Sequence, residues 1–276
     1  MPLQAVRHVR KMRGGAQAHL LEADDGNWYV VKFRNNPQHR RILANELLSS
    51  AILDSLKIAV PRTAVIRLTS EFLAENPEIH MQIGSRRIEV EPGWHFGSHY
   101  PDDPARCPIY DFLPDALLGQ VANRDDFRAV LVFDKWAANA DGRQCIFFRA
   151  MVRGAGAGES QSGRPRFVAQ MIDHGYAFNG PNWDFPESAV QGLYPRRMVY
   201  EGVRSLDDFE PWLQQVIHFP EEAIDRAWKC LPPAWIEGEE DELERLLDKL
   251  YERRRRVPEL IAACRAARTD PFPAWK

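Results

Sequence analysis

The stretch Leu131-Val132-Phe133-Asp134-Lys135-Trp136-Ala137-Ala138-Asn139-Ala140-Asp141-Gly142-Arg143-Gln144-Cys145-Ile146-Phe147-Phe148 sets a polar knot, Asn139 to Gln144, between two apolar runs. Upstream of the knot, the spacing of apolar residues predicts a helix over 124–139, with Asp125 and Asp126 in its first turn where acids suit the helix dipole. Downstream, 146–152 reads as a strand. A second apolar run, Phe167 to Ile172, ends in another knot, Asp173-His174-Gly175. If the two strands form a hairpin, Asp141 and Asp173 come to the same end of it. The segment between them, 153–166, is rich in Gly, Ser and Arg and has no apolar pattern, so a loop is expected there.

Toward the N-terminus, 5–12 and 18–22 read as strands around Gly14-Gly15. Asp24-Asp25-Gly26-Asn27 is a strong hairpin turn leading into Trp28-Tyr29-Val30-Val31-Lys32-Phe33. Lys32 lies near the end of this apolar strand. A lysine there either snorkels at an edge or is kept for a ligand. Asn35-Asn36-Pro37 breaks the strand, and a helix with an apolar stripe is expected over 40–56. Glu46 lies inside it, either solvated or paired with Lys32 across one loop. Strands are expected over 64–68 and on either side of Gly84-Ser85, with a short helix over 70–76. The Pro- and Gly-rich stretch 91–108 marks the expected boundary between a region 1–92 and a region 93–276. Helices are further expected over 114–121, 206–216, 220–230 and 239–265. The run Arg253 to Arg256 reads as a solvated helix face.

Composition narrows the class. The 276 residues are 45% hydrophobic and 27% charged, with a net charge of −3, so no global basic field points to nucleic acid, and none is expected to be contacted directly. The four cysteines, Cys107, Cys145, Cys230 and Cys264, have no C-x-x-C or zinc spacing. Met1-Pro2-Leu3-Gln4 lacks a signal-peptide pattern, and no apolar run approaches the roughly 18 residues needed to span a bilayer. A cytoplasmic protein without a membrane partner is expected.

In order, the chain presents paired glycines, a strand lysine, a helix glutamate, an Asn-x-Asp knot, a hairpin and a strand-end Asp-x-Gly. Phosphoryl transfer uses such parts: backbone N–H groups for phosphates, a lysine held by a carboxylate, one carboxylate for the acceptor hydroxyl and another for Mg²⁺. Each has a plainer reading. Asp141-Gly142 and Asp173-His174-Gly175 can be turns, and Asn139 a helix C-cap. Asp134 can make local surface contacts only, and His174 can be a packed loop residue.

Through Gly14-Gly15-Ala16-Gln17, Val30-Val31-Lys32-Phe33, Asn45-Glu46-Leu47, Phe96-Gly97-Ser98, Phe133 to Gln144 and Ile172-Asp173-His174-Gly175, the chain resembles the HipA-like kinases, over about residues 8–255. The resemblance implies an α+β, bilobal, protein-kinase-like fold with a small antiparallel-sheet N-lobe and a mainly helical C-lobe. It implies ATP and Mg²⁺ as cofactors, a protein as substrate or partner, and transfer of the γ-phosphoryl group to a Ser or Thr hydroxyl. Gly14, Gly15 and Gln17 would face the phosphates, and Lys32 would contact them while paired with Glu46. Asp141, with Asn139 beside it, would be catalytic, Asp173 would hold Mg²⁺, and adenine would sit near residues 88–94. The catalytic loop of active relatives resembles Asn-x-Asp-Arg-His-x-x-Asn. Here Arg143 stands at the histidine position and Ile146, whose side chain has no oxygen for Mg²⁺, at the last asparagine, where a second metal ligand would sit. The alternatives are a site with one metal, a site that borrows another oxygen such as that of Gln144, and a site that does not work. Two alternative functions follow: a pseudokinase acting as a nucleotide-binding scaffold, and a small-molecule kinase with an acceptor pocket formed by the loop 179–195, where Trp183, Asp184 and Phe185 either serve a sugar or pack.

Overall fold

A computed structural model describes residues 2–152, 163–268 and 270–276. Five strands close into a barrel in the order β1 (Leu3–Lys11), β2 (His19–Ala23), β3 (Trp28–Lys32), β7 (Gly93–His99) and β4 (Thr63–Leu68). All neighbours are antiparallel except β1 and β4, which meet in parallel at Leu3–Ile66 and Gln4–Arg67, so the expected all-antiparallel sheet is mixed. The alternation of β3 puts Tyr29 and Val31 into the barrel core and Val30 and Lys32 on the opposite face. Helix α2 (Ser70–Glu75), begun by Thr69 accepting from the Phe72 amide, and the small β5 (His80–Ile83)–β6 (Arg86–Glu89) hairpin cover the barrel core through Phe72, Ile79, Met81 and Ile88.

β7 corrects the expected boundary. Residues 93–99 lie between β3 and β4, so a division at 92/93 cuts a strand out of its own sheet. Gly97, which reads as a breaker, is a packing residue: a Cβ there would fall 2.5 Å from Cγ1 of Ile66.

Helix α1 (Arg41–Ser55) is buried on almost every face, polar Asn45, Glu46, Ser49 and Ser50 included, rather than along one stripe. It packs against β7, the 177–182 turn and the helices Glu221–Lys229 and Pro233–Ile236. After a short α3 (Asp115–Leu118) comes α4 (Asp126–Trp136), whose residues Ala129–Trp136 are all buried. A helix apolar all round belongs inside a domain, and Trp136 anchors it by donating Nε1–H to the Leu250 carbonyl at 2.7 Å.

β8 (Gln144–Val152) and β9 (Arg164–Ile172) form the expected hairpin, longer than expected, with Gln144 opposite Ile172. The loop expected over 153–166 lies outside the described residues at 153–162, and 164–166 are strand. The C-terminal part is helical: α5 (Trp212–Ile217), α6 (Glu221–Lys229), α7 (Pro233–Ile236), α8 (Glu240–Arg253) and α9 (Val257–Ala262). The helix expected over 206–216 is interrupted before Pro211, and the one over 239–265 divides at Arg254–Arg256, with Pro258 opening α9. The arginine run is not a plain solvated face. Arg253 is buried, donating Nε–H to the Trp136 carbonyl at 3.1 Å, and Arg254 stacks on Tyr251 with 3.4 Å to the ring centroid. Among the described residues no helix is long and apolar enough to cross a membrane.

Candidate functional site

A cleft of about 270 Å³ runs between the barrel and the β8–β9 hairpin. At its base Lys32 projects from β3 and donates to two carboxylates, Glu46 Oε1 and, at 2.7 Å, Asp173 Oδ1. Its side chain is 12% exposed, so it is not a surface lysine. Burial works to lower the Lys32 ammonium, but Glu46 and then Asp173 outweigh it and hold it above its ordinary value. Burial likewise opposes the Asp173 charge, and Lys32 and then Arg143 hold its carboxyl below the usual range.

Glu46 does more than pair with lysine. Its Oε2 accepts the His174 amide at 3.0 Å and its Oε1 the Gly175 amide at 3.0 Å, which ties the Asp173-His174-Gly175 turn to α1. A buried carboxylate is tolerated when paired and hydrogen-bonded in this way. Gly175 allows the approach, because a Cβ there would lie 2.5 Å from Cγ2 of Ile42.

The knot after α4 is held from inside. Asp134 and Arg143 are both 0% exposed. Arg143 donates Nε–H to Asp134 Oδ2 at 2.9 Å and Nη2–H to Asp134 Oδ1. From Nη1 it donates to the Ile172 carbonyl at 3.0 Å and to His174 Nδ1 at 2.9 Å. Asn139, also buried, donates Nδ2–H to Asp134 Oδ1 at 3.0 Å and accepts the Asp141 amide at 3.3 Å. Asp134 is therefore the centre of a buried network rather than a source of surface contacts, and Asn139 braces the loop from inside it. His174 is a packed residue: burial, then Arg143 and Lys32, push its imidazole well below 6.5. The closeness of the packing shows at Gly192 (φ +72°), where a Cβ would fall 2.2 Å from Asp134 Cβ.

Asp141 is exposed at the hairpin end. Its Oδ1 accepts the Gly142 amide at 2.8 Å and its Oδ2 accepts Gln144 Nε2–H at 3.3 Å. Gln144, Ile146, Ile172 and Asp173 line the cleft, with Gly14 and Gly15 on the other side. Gly14 has φ +117°, and a Cβ added there would meet nothing within 4 Å, so backbone conformation, not crowding, sets its identity. Gln17 is placed differently from expectation: its amide donates to the Gln82 carbonyl at 2.6 Å and accepts the Gln82 amide at 2.7 Å, which fastens the glycine turn to β5. Residues 88–94 do not line the cleft. Phe96, Ser98, His99, Tyr100 and Pro101 do, because β7 continues the barrel past the point where a linker was expected.

The segment after Gly175 is pinned to α1. Asn45, 0% exposed, donates Nδ2–H to the carbonyls of Gly175 at 2.8 Å, Ala177 at 3.1 Å and Gly180 at 3.0 Å, and accepts Trp183 Nε1–H at 2.8 Å. Arg41 stacks on Trp183 at 4.2 Å and donates to the Pro181 carbonyl at 2.8 Å. Trp183 and Phe185 thus pack against the core, and Asp184 accepts Asn179 Nδ2–H at 2.7 Å.

Sequence reasoning missed Asp134, Arg143 and Asn45 as organisers. The signal for the first was present: an acid inside a helix apolar on every side must find a partner.

Lys32, Glu46 and Asp173, read from sequence as one set, are brought into contact, and Asp141 stands at the same end of the hairpin as Asp173. Among the described residues no group of three or more His, Cys, Asp or Glu side chains is arranged to hold a metal ion. The fold is kinase-like. A crystal structure of the Golgi casein kinase with Mn/ADP bound matches 97% of this chain and 73% of its own, at 12% identity and a TM-score of 0.53. A second crystal structure of the Golgi casein kinase matches 96% and 74%, at 13% identity and 0.54. No curated protein matches. A family profile described as HipA-like kinase matches residues 6–149, more than half of the chain. The chain belongs to the HipA-like kinase family.

Proposed function

We propose that the chain is an ATP-dependent kinase that transfers the γ-phosphoryl group to a Ser or Thr hydroxyl of a protein. The observation that carries this reading is Lys32 joined to both Glu46 and Asp173, with Asp141 at the same hairpin end. In this reading the barrel with α1 and α2 is one lobe and the helical part the other, with the border after β7 near Tyr100-Pro101. Adenine enters beside Ser98 to Pro101, and the phosphates lie between Gly14-Gly15 and Lys32. Asp141, exposed and next to the cleft, orients the acceptor hydroxyl.

The donor set fits a single divalent cation. Mg²⁺ is commonly held by one or two carboxylates together with phosphates and waters. Asp173 supplies the carboxylate, and Gln144 offers an amide oxygen at the cleft wall. Ile146, which lines the same wall, offers none. When bound, the cation would neutralise phosphate charge as it develops.

Radiolabelled ATP with Mg²⁺ or Mn²⁺ tests the reading. Label appears on protein with the wild type and is lost with Asp141→Ala and Asp173→Ala. Equal labelling by all three removes the proposal. Ile146 favours one second reading, a nucleotide-binding scaffold without turnover. A ligand at 100 Kd stabilises by about 2.7 kcal/mol, so a thermal shift with ATP and metal but no labelling selects that reading.

A further inference from the structure

We infer that Arg143 is a positioning residue: one guanidinium sets the Asp141 loop and the Asp173 turn in a fixed register. The inference rests on the phosphoryl-transfer reading for its kinetic consequence, not for its structural one.

On one side, Arg143 grips both oxygens of Asp134, which holds Asn139, which in turn holds the Asp141 amide. On the other side, Arg143 grips the residues flanking Asp173, the Ile172 carbonyl and the His174 ring. Asp173 itself has φ +60°, a conformation that a non-glycine residue holds only where its surroundings over-determine it. Glu46 secures the turn through the His174 and Gly175 amides. Past the turn, the Ala140 amide donates to the Tyr176 carbonyl at 2.9 Å. Among the side chains of the described residues, Arg143 alone bonds both Asp134 and the two flanks of Asp173. With the turn bound on both flanks, Asp173 is kept in one place relative to Asp141. Lysine cannot substitute, because a single ammonium lacks the planar fork that reaches a carboxylate, a carbonyl and an imidazole at once.

A buried ion pair can also be merely structural, replaceable by a neutral pair of similar shape. Two variants separate the readings. Arg143→Lys keeps the charge and loses the fork. Asp134→Asn with Arg143→Met removes both charges and retains an acceptor for Asn139. Hydrogen exchange is measured on the nucleotide-free protein, and affinity for ADP without and with Mn²⁺ is measured by calorimetry beside the rate of phosphoryl transfer. In both variants, exchange at residues 139–141 and at 174–175 is expected to rise together by about tenfold, the equivalent of one lost hydrogen bond. The transfer rate falls about 10²-fold, as misplacement by an ångström can cost; affinity for ADP titrated without metal changes by less than about twofold, and only the part of the affinity that Mn²⁺ adds weakens, since Asp173 moves while the other nucleotide contacts remain. Exchange that rises in one segment alone, or an unchanged transfer rate beside raised exchange, overturns the inference. A wild type without transfer overturns the kinase reading instead, and the exchange measurement still decides whether Arg143 couples the two segments.

Discussion

Lys32 and Asp173, 141 positions apart, meet at 2.7 Å, and the same ammonium is bonded to Glu46. One cation therefore serves two carboxylates at the base of the cleft. Removing it leaves Glu46 buried without a countercharge, the condition that makes breaking a buried pair costly. Lys32→Met is expected to cost about 3–5 kcal/mol in urea unfolding. Lys32→Met with Glu46→Gln should recover much of that loss and none of the nucleotide affinity. Equal destabilisation by the single and double variants would show that Glu46 does not depend on Lys32.

Asn45 bonds four partners from one buried amide. Asn45→Ala leaves three carbonyls and an indole N–H without it. Buried unpaired groups cost about 1–3 kcal/mol each, and losses at one site add incompletely. A loss of about 3–5 kcal/mol is expected on that basis, together with a change in Trp183 fluorescence. A stability change below about 1 kcal/mol, the scale of one exposed hydrogen bond, would count against the role.

Gly192 and Gly14 both have positive φ but differ in surroundings. At Gly14 an added Cβ meets nothing within 4 Å, whereas at Gly192 it would meet Asp134 Cβ at 2.2 Å. Gly14→Ala should cost about 1–2 kcal/mol, the backbone cost of left-handed geometry. Gly192→Ala should cost clearly more, because the buried Asp134–Arg143 pair must also shift. Similar denaturation midpoints for the two variants would refute the packing argument.

Acid should destabilise the fold before the ordinary carboxylate range is reached. Burial, then His8, pushes His19 down to about 4, and burial, then Arg34, pushes His95 down to about 3. His174 lies well below 6.5 as well. These imidazoles stay neutral in the fold while the unfolded chain protonates near 6.5. Their contribution is fully present above 6.5 and is lost as pH falls from there toward about 4, because the unfolded state binds more protons in that window. Each histidine contributes a slope of up to about 1.4 kcal/mol per pH unit. Glu46, whose carboxyl burial raises, acts in the opposite sense. Denaturant unfolding at pH 7, 6 and 5, with proton uptake measured by calorimetry, checks this. Unfolding at pH 5 with no net proton uptake would exclude it.

Several elements were legible because their determinants are local. The turn at Asp24 to Asn27 and the β-branched run after it specify the β2–β3 hairpin. The polar knots at Asn139 and Asp173 end the apolar runs where the β8–β9 hairpin begins and ends. The set Lys32, Glu46 and Asp173 was legible through its order along the chain. β7 was not, since Gly93, Gly97 and the nearby prolines suit a linker, and only the facing Ile66 side chain explains Gly97. Gln17 belongs to the phosphate-facing loop by the family resemblance alone, and nothing near it in sequence announces Gln82 as the partner of its side chain.

By itself the sequence determined where most helices, strands and turns lie, β7 and the interruptions of the C-terminal helices excepted, since hydrophobic period and turn chemistry act over a few residues. It also supplied the residue types that a phosphoryl-transfer site requires. Tertiary structure decided which charged groups are buried and what each one holds. Arg143 is a departure from the family loop when read along the chain. In the folded protein it lies between Asp134, nine positions away, and His174, thirty-one away. A buried charge is stable only where partners surround it, and partners that distant are supplied by folding alone.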